Sequence, residues 1–135
     1  MKKIALFSIV LGLLVVSGCK KDLVDPTAND VEDVSSLKTF QARIKTGVTV
    51  VFFHAAWCSV CEKQRPFFES ASENEESRFA SFIEVEYEKK SEIFDAYNIS
   101  SFPQIAFFKD GEIQEKLVGA GHTEQTIIDT AEKYK

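Results

Sequence analysis

Two cysteines separated by two residues stand in the segment Trp57-Cys58-Ser59-Val60-Cys61. A disulfide between them would close a very small loop, so bridging removes little chain entropy and makes a poor structural staple. The same spacing on a helix puts both sulfurs on one side, where one thiolate can attack a disulfide and the other can resolve the mixed disulfide. A cysteine at the first turn of a helix meets unpaired N–H groups and the positive end of the dipole, which favour the thiolate. The indole of Trp57 would cover the pair. Two other chemistries use such a pair. Tetrahedral zinc needs four ligands, and the chain offers only His54 and His122 beyond the cysteines. Cu(I) suits a thiolate pair, but the single methionine is Met1. A third reading makes the cysteines incidental to a binding module. No cofactor or resident metal is implied.

The elements around the pair follow from pattern. Asp30 to Val34 is a weak first strand, and Ser35 or Ser36 caps a helix through Lys45, with Leu37, Phe40 and Ile44 on one face and Gly47 after it. Val48 to Phe53 is an unbroken β-branched and aromatic run, which suits a strand covered on both faces. His54 to Trp57 leads out of it, and the cysteine segment opens a helix to about Ser72, which Pro66 should kink. Glu73 to Ser77 reads as a solvated helix end or loop. A second buried strand is expected at Phe82 to Glu86, then a short helix over Ser91 to Tyr97 and a turn ending at Pro103. Gln104 to Phe108 and Glu112 to Val118 form a hairpin around Lys109-Asp110-Gly111. Thr123 caps a last helix over Glu124 to Lys133. This order predicts an α/β fold: a central mixed sheet with helices on both faces.

At the other end of the chain, Met1-Lys2-Lys3 precedes an apolar run from Ile4 to Val16. Thirteen residues rise about 20 Å as a helix, short of the roughly 30 Å hydrocarbon core. The pattern is that of a secretory signal. Val16-Ser17-Gly18-Cys19 resembles the lipobox of bacterial lipoproteins, which implies a signal peptide over 1–18 and a lipidated Cys19. Residues 19–30, polar and containing Pro26, then form a flexible tether to a domain over 31–135. With Cys19 lipidated, Cys58 and Cys61 are the only two thiols left of the three cysteines, in an oxidising compartment that permits their disulfide. The expected place is the bacterial cell envelope, outside the cytoplasm, with the membrane reached through the lipid anchor. Without Lys2 and Lys3 the chain carries 14 basic and 21 acidic residues, a net charge of −7. That sign argues against nucleic acid as a partner.

Residues 30 to 135 resemble thioredoxin. Phe53 to Cys61 is similar to the family's strand-to-site segment, and Pro66 to its helix proline. Tyr97-Asn98-Ile99-Ser100-Ser101-Phe102-Pro103 is similar to the stretch that ends in its cis-proline, and Phe107 to Glu112 to its terminal hairpin. The resemblance implies the thioredoxin fold and a thiol–disulfide oxidoreductase with Cys58 and Cys61 as catalytic residues. It implies a substrate groove formed by Trp57, Phe102, cis-Pro103 and Gly119. Protein thiols and disulfides are then the substrates, an extracytoplasmic or membrane redox protein is the partner, and the domain is expected to work as a monomer. Three features depart from the family. Phe52 stands where thioredoxins keep a buried acid, Ser59-Val60 replaces Gly-Pro, and Glu62 follows the pair where many relatives have lysine. His54, Glu62 and Glu84 are the candidates for tuning the pair, and either Glu84 or Glu86, on the neighbouring strand, could substitute as proton acceptor.

Overall fold

The computed structural model describes residues 32–135. The expected signal peptide, Cys19, the expected tether and the first residues of the expected opening strand lie outside them. The order of elements is β1 (Glu32–Asp33), α1 (Leu37–Ile44), β2 (Val48–His54), α2 (Ser59–Glu73), β3 (Ala80–Glu86), α3 (Tyr87–Ala96), β4 (Gln104–Lys109), β5 (Glu112–Val118) and α4 (Glu124–Glu132). The strands form one five-stranded sheet in the order β1-β3-β2-β4-β5. β1, β3 and β2 run parallel, while β4 lies antiparallel to β2 and β5 antiparallel to β4. This is the mixed sheet the pattern predicts.

β2 is central because all seven of its residues are buried. Its alternation divides the core in two. Val48, Val50 and Phe52 pack under α2 and α4, with Phe68, Ala71, Ile127 and Ile128. Val51 and Phe53 pack under α1 and α3, with Phe40, Ile44, Ile93 and Phe94. Cys58 and Cys61 belong to the first of these layers. Each fully buried Phe or Ile contributes on the order of 2 kcal/mol by removal from water, which is why a short β-branched and aromatic run can hold the middle of the sheet.

Local chemistry sets the ends of the elements. Ser36 caps α1 by accepting from Thr39 N, and Thr123 caps α4 by accepting from Thr126 N. The β4–β5 turn carries positive φ at Asp110 (49°) and Gly111 (91°), which suits this hairpin pair. Asp110 Oδ1 also accepts from Gly47 N at 2.8 Å, tying the hairpin to the loop before β2.

Two expectations change. The helix expected over Ser91–Tyr97 begins earlier, at Tyr87, directly after β3. Lys90 has non-helical angles (φ −140°, ψ 39°), so an additional turn precedes the apolar stretch that periodicity detects. The segment from Glu73 to Ser77 is not simply a solvated loop. Glu75–Ser77 forms a 3₁₀ turn capped by Asn74, and Ser77 is buried with its hydroxyl donating to Ala71 O. Pro66 lies inside α2 as expected.

Candidate active site

The site begins where β2 ends. His54 closes the strand, Ala55 O accepts from Cys58 N at 3.1 Å, and Cys58 becomes the N-cap of α2 rather than a residue of its first turn. Its Sγ accepts from Cys61 N at 3.1 Å. A backbone donor therefore points at this sulfur, with the N-terminal end of a 15-residue helix behind it. Cys58 and Cys61 form a disulfide with Cα atoms 5.2 Å apart. Cys58 is 7% exposed and Cys61 1%, so the first sulfur is the more reachable of the two. Ser59 and Val60 lie outside on the first turn, and Glu62 beside them is exposed.

Around the pair the chain builds a rim. The Phe102–Pro103 bond is cis, as the resemblance implies. Pro103 O accepts from Gly119 N at 2.9 Å, so two segments expected at the groove are joined directly. Gly119 has φ of 87°, a conformation that disfavours any side chain. Phe102 packs against the core layer that contains the cysteines. Trp57, 69% exposed, meets it edge-on with ring centroids 5.7 Å apart. Tyr87 and Phe94 support Phe102 at 5.5 and 5.3 Å.

Sequence reasoning missed four contributors. Gln64, fully buried, donates to His122 O and accepts from Gly121 N and His122 N, which fastens the loop after Gly119 to α2. A polar residue on the apolar face that holds Cys61 and Phe68 was the available signal. Glu88 accepts from Ala56 N at 3.1 Å, so the additional turn of α3 supports the strand-to-site loop. Tyr87 comes from the same turn. Arg65 gives both Nη1 contacts of a guanidinium to Glu84 and places Nη2 3.3 Å from His54 Nδ1. Glu84 thus carries an ion pair rather than facing solvent alone.

His54 is buried against the ring of Phe52, and its pKa lies below the ordinary 6.5. Burial is the main cause and the Arg65 charge the next; Glu86 and Glu88 oppose them, and Lys89 adds a small lowering. The unfolded chain therefore binds this proton first. His54 contributes stability that is full above about pH 6.5 and is lost as pH falls through the unfolded value. Urea unfolding at pH 7.5 and 5.5 should show a smaller acid loss in His54→Asn than in the parent. Equal losses in the two proteins would contradict a neutral buried His54.

The thioredoxin family model matches residues 31–133. The chain belongs to the thioredoxin family. Thioredoxin Asp f 29 of Aspergillus fumigatus is 30% identical over 95 residues, which cover 69% of this chain and 86% of that protein. Mitochondrial thioredoxin-2 of Schizosaccharomyces pombe is 36% identical over 91 residues, 67% of each chain. The solved thioredoxin of Plasmodium falciparum superposes with a TM-score of 0.68 at 30% identity, over 78% of this chain and all of that one. This thioredoxin-family chain is a thiol–disulfide oxidoreductase with Cys58–Cys61 as its redox pair. Protein disulfides are its general kind of substrate. Beneath the site, at the position where the resemblance implies a buried acid, Phe52 is fully buried and stacks on Phe68 at 5.2 Å.

Proposed function

We propose that the protein is a lipid-anchored thiol–disulfide oxidoreductase of the bacterial cell envelope, working outside the cytoplasm on protein disulfides. Cys58 is the nucleophile and Cys61 the resolving thiol. The observation that carries these roles is the Cys61 N–H donated to Cys58 Sγ at the cap of α2, together with the deeper burial of Cys61. In the reducing direction the Cys58 thiolate attacks a substrate disulfide and expels one substrate thiolate. The expelled substrate thiolate takes the proton of Cys61, whose sulfur then attacks Cys58 Sγ. The second substrate thiolate leaves, and the Cys58–Cys61 disulfide remains. The substrate chain lies along Phe102, Pro103 and Gly119, with Trp57 over the pair. A membrane or extracytoplasmic redox protein restores the starting state.

The anchoring rests on Met1-Lys2-Lys3, the apolar run to Val16 and Val16-Ser17-Gly18-Cys19. An acyl chain supplies membrane affinity without a basic patch, which suits an acidic protein. Expressed with an alkyne-tagged fatty acid in a bacterium, the protein should take up label and sediment with membranes. Cys19→Ser should take up none. Labelling that survives this change, or a parent that stays soluble and unlabelled, would overturn the anchor.

A further inference from the structure

Among residues 34–135 no carboxylate is fully buried; the buried polar set there is Thr49, His54, Gln64, Ser72, Ser77, Gln104 and Thr130. On the neighbouring strand Glu84 pairs in register with Phe52. Its carboxylate receives both short contacts from Arg65 Nη1, and its Oε2 lies 3.7 Å from His54 Nε2. Arg65 stands one helical turn after Cys61, so the two residues are neighbours on α2. Its guanidinium sits 5.6 Å over the ring of Phe52, and the His54 ring stacks on Phe52 at 5.3 Å. Phe52 packs in the layer that holds both cysteines.

A guanidinium can only donate hydrogen bonds. Its Nη2 contact therefore assigns His54 Nδ1 as acceptor, leaving the Nε2 proton directed toward Glu84. The three side chains interlock with no net charge while His54 is neutral. The other charged groups around His54 are engaged as well. Glu86 pairs with Lys89 at 3.2 Å, and Glu88 accepts from Ala56 N.

We propose that Arg65 and Glu84, aligned by His54, are positioning residues that set how readily the Cys58/Cys61 dithiol ionises. Each charge alone would act on the sulfurs through a partly buried region, where salt screens weakly. Arg65 favours the thiolate and Glu84 opposes it. In the intact cluster the two offset each other, and the helix terminus is left to dominate. This rests on the dithiol being the redox pair, and it adds a network outside the cysteine segment that governs its pH response.

The test is alkylation of the reduced full chain by iodoacetamide at pH 7, read by mass spectrometry on the peptide that carries both cysteines. Glu84→Gln removes the negative charge beside Arg65 and should raise the rate roughly threefold or more; Arg65→Gln removes the positive charge beside Glu84 and should lower it by a similar factor. The double variant removes both charges and should return toward the parent rate, and Arg65→Lys should stay near it. A merely structural role would move both single variants in one direction and the double variant further. That result, or single variants at the parent rate, would overturn the proposal. Insulin reduction by the parent protein is measured alongside. A parent that alkylates but reduces no disulfide would count against the exchange reading, whereas the variant rates judge the cluster. Circular dichroism identifies a variant that has lost its fold; in that case Arg65→Lys and Glu84→Asp are compared, and departure of either by threefold from the parent would also overturn the proposal.

Discussion

Cys61→Ala protein, reduced and mixed with envelope proteins, is expected to accumulate disulfide-linked adducts through Cys58 that thiol reagents release. In the parent, the second sulfur is held in the first turn of α2, three residues after the Cys58 cap, with Cα atoms 5.2 Å apart. Resolution is therefore intramolecular and needs no encounter. Removing Cys61 leaves only attack by an external thiol, and turnover in insulin reduction should fall by about three orders of magnitude or more. Cys58 retains its N-terminal position on α2, although Ala at 61 still supplies the N–H that points at it. Attack should thus survive while release fails. Adducts would be read on non-reducing gels and identified by mass spectrometry, which also names substrates and working direction. Absence of any thiol-sensitive adduct would remove Cys58 from the nucleophile role.

The second large effect concerns the layer beneath the site. Phe52→Asp should cost about 5 kcal/mol near neutral pH, enough to unfold a domain of ordinary stability. The ring is fully buried and stacked between Phe68 and His54, so its loss opens a cavity. The replacement also places a carboxylate where no solvent reaches. Burial raises the pKa of such a group above its unfolded value of about 3.9. The unfolded state then releases the proton first, so the penalty grows as pH rises above that value and is smallest in acid. Phe52→Leu removes the stacking without the charge and should cost about 1–2 kcal/mol with no added pH dependence. Denaturant unfolding at pH 4 and pH 7 separates the two contributions. An Asp variant as stable as the parent at pH 7 would mean that water enters this layer.

The elements were readable because each leaves a local signature. The run Val48 to Phe53 is β-branched and aromatic throughout, and it became the central strand. Asp110-Gly111 supplied the positive φ its hairpin uses. Cys58 and Cys61 stood between a buried run and a helical pattern, and the structure puts them at that junction. The family resemblance added the cis bond before Pro103, which no local pattern requires. The turn Tyr87–Lys89 escaped because Lys90 interrupts the helical period that would have revealed it.

Taken alone, the amino-acid order determined the chemistry available, a lone dithiol at a strand-to-helix junction, and the elements that carry it. It did not determine which polar side chains share that site. Gln64 meets Gly121 and His122 across 57 and 58 positions, and Arg65 meets Glu84 across 19. Spacing within one element predicts its own faces, because a helix or strand repeats every few residues. Contacts between elements depend on sheet order and on which rotamers the packing allows, and neither repeats along the chain. The pairing of β2 with β3 brought Glu84 opposite Phe52, and the packing of α2 on that face brought Arg65 to it.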